Sequence, residues 1–170
     1  QRQMCIRDSN YTFTYSAGTL TVNKATLTAT ADNKTRAYGD VNPTFTITYS
    51  GFKNNETSSV VDTPPAASTT ATVTSGVGTY PISVSGGTDN NYTFTYASGT
   101  LTVAKAVVTA TADNKSKVYG DSNPFLTVSY SGFRNGENET VLDALPTAST
   151  TATPLTNAGT ATITLSGGSD

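Results

Sequence analysis

Apolar and polar residues alternate one for one along much of this chain. Leu27, Ala29 and Ala31 alternate with Thr28 and Thr30, and Phe45, Ile47 and Tyr49 alternate with Thr44, Thr46 and Thr48. A period of two puts every second side chain on one face of an extended strand, so both stretches predict half-buried β-strands. Residues 66–75, "AASTTATVTS", read as a weak polar strand. In "GTYPISVSGG" Ile82 and Val84 point inward, and Pro81, which has no N–H to donate, predicts an edge position. Tyr92, Phe94 and Tyr96, then "ASG", then Leu101 and Val103 predict a closing hairpin. Between strands, Asp32-Asn33 and "YGDVNP" (38–43) carry the Gly, Asx and Pro chemistry of turns. After Phe52 the period changes. "KNNETSSVVD" predicts a short helix capped by Asn54 or Asn55, packing Val60 and Val61 on the sheet and stopped by Pro64-Pro65.

The whole pattern recurs. "NYTFTYSAGTLTV" from Asn10 returns as "NYTFTYASGTLTV" from Asn91, and Tyr38 returns as Tyr119, an offset of 81 residues (119 − 38 = 81). A fixed offset of this length marks tandem small domains. The chain parses into residues 10–23, the closing hairpin of a preceding repeat; 24–104, a complete repeat; and 105–170, a second repeat that stops before its closing hairpin. Inward positions are even at Leu20 and Val22 but odd at Leu27, Ala29 and Ala31. That phase change flips a strand's faces, so the last strand of one repeat does not run on as the first of the next. The linker is two or three residues without a Gly/Ser run. An elongated head-to-tail array with limited bending is therefore expected, each domain's ends lying near opposite poles.

Residues 1–9, "QRQMCIRDS", fit no part of the repeat and hold the only Cys and the only Met. They resemble a translated sequencing adapter and are treated as non-native, outside the fold. The remainder is free of Cys, which suits a secreted bacterial surface, where a stray thiol risks crosslinking.

About one residue in five is Thr, a β-branched polar residue suited to the solvent face of strands. The formal net charge is -2 and 13% of residues are charged. That gives no basic footprint for nucleic acid, and no apolar run is long enough to span a membrane. His is absent. This removes His-based triads and Cys/His zinc sites, and no catalytic, cofactor or metal residue is assigned.

"AYGDVNP" and "VYGDSNP", flanked by "TATADNK", "YSGF" and "GTLTV", resemble the MBG repeat of YGX type. The resemblance covers residues 10–170. It implies a mainly β, β-grasp-like domain with one short helix per repeat, a place on the bacterial surface or in secreted adhesin-like proteins, and no enzymatic role. The motif residues are Tyr38, Gly39, Asp40, Asn42 and Pro43, and Tyr119, Gly120, Asp121, Asn123 and Pro124. Their role is read as a structural turn. The expected function is a stalk repeat spacing a distal domain from the cell, with neighbouring repeats as partners. The alternative is an adhesive module for host or matrix glycans, mucin-like ligands or other adhesin copies.

Sharper readings compete with the structural one. Asp40 with Asn42, and Asp121 with Asn123, carry oxygens for Ca²⁺, although one carboxylate per turn is thin for that ion. Tyr38 and Tyr119 offer rings for sugar stacking. Glu56 with Asp62, and Glu137 with Asp143, are carboxylate pairs, read as a solvated helix face. Residues 10–23 are also candidates to pair with the edge left open in 105–170, within or between molecules.

Overall fold

The computed structural model describes residues 10–170; the adapter-like segment 1–9 lies outside the described residues. Among the described residues the chain forms eleven strands and no α-helix. The strands are β1 (Ala25–Ala31), β2 (Lys34–Ala37), β3 (Ile47–Ser50), β4 (Ala66–Thr69), β5 (Gly78–Ser85), β6 (Tyr92–Ala97), β7 (Gly99–Ala104), β8 (Thr109–Ala112), β9 (Val128–Ser131), β10 (Thr147–Thr150) and β11 (Ile163–Ser166).

In the first copy, β1–β7 make two sheets, one ordered β3-β1-β6 and one ordered β2-β7-β5-β4. Leu27, Ala29 and Ala31 of β1 are buried while their Thr neighbours are not, as the alternation predicts. The main core joins Ala29 and Ala31 of one sheet to Ile82, Val84, Leu101 and Val103 of the other. A second cluster seats Leu27, Val61 and Tyr92 beside Tyr49, Phe52 and Phe94. The mainly β reading holds. The β-grasp-like reading with a helix per repeat is corrected, because the segments predicted to be helical form only 3-10 turns, Ser58–Val60 and Glu139–Val141. Asn54 and Asn55, the expected N-caps, instead hold left-handed φ angles of 53° and 59°, which interrupts any helix at its start. Val61 is buried, but Val60 stays 40% exposed.

The closing segment is not a hairpin. β6 and β7 lie in different sheets, separated only by Ser98. β6 runs parallel to β1, and β7 runs parallel to β2 and antiparallel to β5. Thus 25–37 and 92–104 are two strand runs side by side, each crossing from one sheet to the other. The crossing explains Gly99: a Cβ there would lie 2.4 Å from the Ala31 carbonyl oxygen. Asn33 Oδ1 accepts from the Thr100 N–H at 2.8 Å, locking the same corner. Ala25 pairs with Tyr92 at one end of these runs and Ala37 with Ala104 at the other. The first and last residues of the first copy therefore sit at opposite poles.

Pro81 also departs from expectation, since β5 is interior to its sheet. β4 ends opposite Ile82, however, and the Pro81 carbonyl accepts from the Thr69 hydroxyl at 2.7 Å. Backbone N and C=O of one residue share a side in an antiparallel ladder. The proline nitrogen thus faces the space just beyond β4, a local edge.

The second copy keeps only part of this. β8 pairs with β9 as β1 does with β3, and β10 with β11 as β4 does with β5. Lys115–Val118, the counterpart of β2, forms no strand. Every fully buried core side chain among the described residues lies between Leu27 and Val103. Residues 11–24 carry no strand.

Candidate functional site

The Tyr-Gly-Asp turn follows β2 directly. The Tyr38 N–H donates to the Ala104 carbonyl at 2.8 Å, and the Asp40 N–H returns to the Ala37 carbonyl at 3.2 Å. Gly39 sits between them at φ 80°, a conformation that costs an L-residue with a Cβ. Asn42 fastens the far side of the loop. Its Oδ1 accepts from Arg36 Nε at 2.8 Å and its Nδ2 donates to the Ala71 carbonyl at 2.7 Å. Pro43 closes the loop on the way to β3.

Arg36 does not stand out in the sequence, yet it is buried at 7% exposure. Its guanidinium also donates to the carbonyls of Ala37 and Thr72. A buried cation needs such partners, and here carbonyls and an amide oxygen supply them. Lys117 repeats the device in the second copy, donating to the carbonyls of Asp121 at 3.1 Å and Thr153 at 2.8 Å. Asn123 Nδ2 donates to the Ala152 carbonyl at 2.7 Å, as Asn42 does to Ala71. The signal that could have found it is a basic residue two positions before Tyr in both copies.

The motif's outer face meets the second copy. Tyr38 Oη donates to Glu137 Oε1 at 2.6 Å, and Arg134 Nη2 lies 3.6 Å from Asp40 Oδ1. That ion pair is about half exposed and adds little by itself. The Glu137 carboxylate that accepts from it holds the Tyr38 phenol above its usual range. Gly39 fits under Arg134 so closely that a Cβ would come within 2.3 Å of the Arg134 Cβ. Val77, Ala106, Val108 and Leu142 line a cleft beside this contact. Tyr38, Gly39 and Asp40 thus form one half of the junction, and the Arg134–Glu137 loop forms the other.

The first copy shows what else this glutamate does. Glu56, the counterpart of Glu137, accepts from Tyr92 Oη at 2.5 Å, and the Tyr92 oxygen accepts from the Lys53 N–H at 2.8 Å. Asp62 accepts from the Asn90 N–H at 3.0 Å. Both members of the Glu56–Asp62 pair are therefore engaged in holding loops. Asp89, buried at 7% exposure, accepts from the N–H groups of Asn91 at 2.7 Å and Tyr92 at 2.9 Å. These bonds, the first foremost, hold its carboxyl below the usual carboxylate range.

The second motif turn has the same internal geometry with no loop against it. Gly120 is at φ 94° and would meet nothing with a Cβ. Its N–H donates to the Pro154 carbonyl at 3.1 Å, and the Asp121 N–H donates to Val118 at 3.1 Å. Tyr119 is 61% exposed, and Pro124 borders an open groove with Asn123. Among the described residues, no three His, Cys, Asp or Glu side chains gather as a metal-binding group.

A family model described as the MBG domain of YGX type matches residues 27–102 and 108–170. No curated protein and no solved structure matches the chain.

Proposed function

Since the chain belongs to the MBG domain family of YGX type, a non-catalytic family typical of repeats in bacterial surface proteins, we propose that it serves as a spacer in such a protein. It carries a distal domain away from the cell, with neighbouring repeats as its partners. The observation that carries this reading is the seating of Tyr38, Gly39 and Asp40 on the Arg134–Glu137 loop. A contact between copies, added to a junction of a few residues, limits bending without a large interface.

The strand layout suits the same task. Pulling on Ala25 and Ala104 loads the parallel pairs β1/β6 and β2/β7 along their length, because these residues mark opposite ends of the two runs. Their ladder bonds are then strained together rather than one after another. Polar Thr faces keep such modules soluble in tandem. Small-angle scattering of the full chain tests the reading. An extended particle with the copies end to end is expected, and copies packed side by side would refute it.

One observation favours an adhesive role for glycans. The rings of Phe94 and Tyr96 stack at 6.4 Å and 10° on β6, and Tyr96 is 46% exposed, a flat apolar platform of the kind sugar rings use. Saturable micromolar binding on a glycan array, lost in Tyr96→Ala, would establish it.

A further inference from the structure

Two features of the second copy belong together. β8 has a partner on one edge only, whereas its counterpart β1 has β3 on one side and β6 on the other. β11 pairs only with β10, whereas its counterpart β5 lies between β4 and β7. Two grooves run along these open edges. One is lined by Lys115, Lys117, Gly159, Ala161 and Ile163, where β7 would lie. The other is lined by Ala106, Val108, Ala110, Tyr130, Leu142 and Leu165, where the rings of β6 would pack. Val108, Ala110, Leu142 and Ile163 are all half-buried, although their counterparts Leu27, Ala29, Val61 and Ile82 are buried. What the second copy lacks is a 92–104 segment.

The chain carries such a segment elsewhere. Residues 10–22 match 91–103 except that Ser16-Ala17 replaces Ala97-Ser98. Tyr92, Leu101 and Val103 are 3%, 0% and 1% exposed, but Tyr11, Leu20 and Val22 are 82%, 89% and 86% exposed. Phe13 and Tyr15 are exposed as well.

We propose that residues 10–23 of a second molecule of this chain fill the open grooves of the second copy, joining chains head to tail. The register is set by the first copy. Tyr11 to Ser16 lie parallel to residues 106–111 as β6 lies along β1. Leu20 stands between Lys115 and Ala161, and Val22 between Lys117 and Gly159, as Leu101 and Val103 stand in their sheet. Gly18 takes the crossing position of Gly99, which admits no side chain. Strand addition of this kind satisfies open-edge N–H and C=O groups while side chains fill the pockets beside them.

The same placement completes a second contact. The incoming molecule's Lys53–Glu56 loop arrives at the Tyr119–Asp121 turn as Arg134–Glu137 arrives at Tyr38–Asp40. Lys53 then faces Asp121, and Glu56 offers its carboxylate to Tyr119, so both ends of the chain carry complementary halves of a contact already present within it. Insertion within one molecule is barred by reach. Only Lys24 separates Asn23 from β1, whose first residue lies at the pole away from the second copy, and a single residue spans about 3.5 Å.

Sedimentation of the full chain over a wide concentration range tests the proposal. The mean mass should rise with concentration above the 17.6 kDa of one chain. A chain carrying Leu20→Asp and Val22→Asp should stay monomeric, and these exposed positions take no part in the core of the first copy. An excess of a synthetic peptide of residues 10–23 should return the unaltered chain to single-chain mass plus peptide. It should also slow amide exchange in residues 109–118 and 161–166. A chain of constant 17.6 kDa mass, unchanged growth in the double variant, or a peptide without effect would each overturn it. None of these outcomes bears on the spacer reading, which rests on the junction inside one chain.

Discussion

Tyr38 of the first copy donates its phenolic hydrogen to Glu137 of the second at 2.6 Å. The residue that names the family's motif is therefore a contact between copies as well as a turn. Its backbone belongs to one module, through the Ala104 carbonyl, and its hydroxyl to the next. Removing the hydroxyl should loosen the junction and leave each module folded. In Tyr38→Phe the thermal unfolding of the first copy should hardly move, because the ring still packs on the core. Orientation of the copies, read by residual dipolar couplings, should lose definition.

Gly39 and Gly120 make a matched pair. Both hold positive φ, but only Gly39 faces Arg134. Gly120→Ala should cost about 1–2 kcal/mol from the left-handed backbone alone. Gly39→Ala carries the same backbone cost and must also displace Arg134, so it should separate the copies. Calorimetry together with the dipolar couplings distinguishes the two effects.

Arg36 ties the motif loop to the segment after β4. Arg36→Ala should destabilise the first copy by about 2–4 kcal/mol, since it leaves buried carbonyls and Asn42 without their donor. Arg36→Lys should cost much less, because Lys117 performs the same task in the second copy. Denaturant titration of both variants checks the ranking.

Stability should fall in acid. Asp32 accepts from the hydroxyls of Thr46 and Thr48, and Asp113 from those of Ser129 and Thr127. These bonds hold both carboxyls below their usual range, as backbone N–H groups do for Asp89. A lowered folded pKa means stabilisation that is complete above the ordinary carboxylate value and lost as pH falls through the folded one. Tyr38 runs the other way. Its raised pKa gives stabilisation that is complete below the usual tyrosine value and lost as pH climbs through the folded one. Melting followed from acid to alkali should show decline at both ends. In Asp89→Asn the acid limb should be shallower.

Alternation makes β1 and β3 legible in the amino-acid order alone, because Leu27, Ala29, Ile47 and Tyr49 obey a local rule with a period of two. The crossing between β6 and β7 is not legible there. "ASG" carries the same signals whether a chain folds back as a hairpin or steps between sheets, and only the long-range β1/β6 and β2/β7 pairing separates the two. The helix fails for a similar reason: "NN" signals an N-cap, yet two left-handed residues in a row also make a turn. Pro81 obeys its rule at one residue rather than along a strand. The junction role of Tyr38, Gly39 and Asp40 is hidden, because nothing in "YGD" marks an outward face that meets a loop nearly a hundred residues on. Gly99→Ala probes the crossing. Its added Cβ collides with the Ala31 carbonyl and should cost about 3 kcal/mol or more, as overpacked sites can.

The most direct test of a seated junction is the distance between matched strands of the two copies. Spin labels on Ser83→Cys and Thr164→Cys, in a Cys5→Ser chain diluted with unlabelled protein, report it by pulsed electron resonance. One narrow distribution is expected, broadening when Tyr38→Phe is combined with Asp40→Ala. A broad distribution in the unaltered junction, or one indifferent to those substitutions, would contradict it.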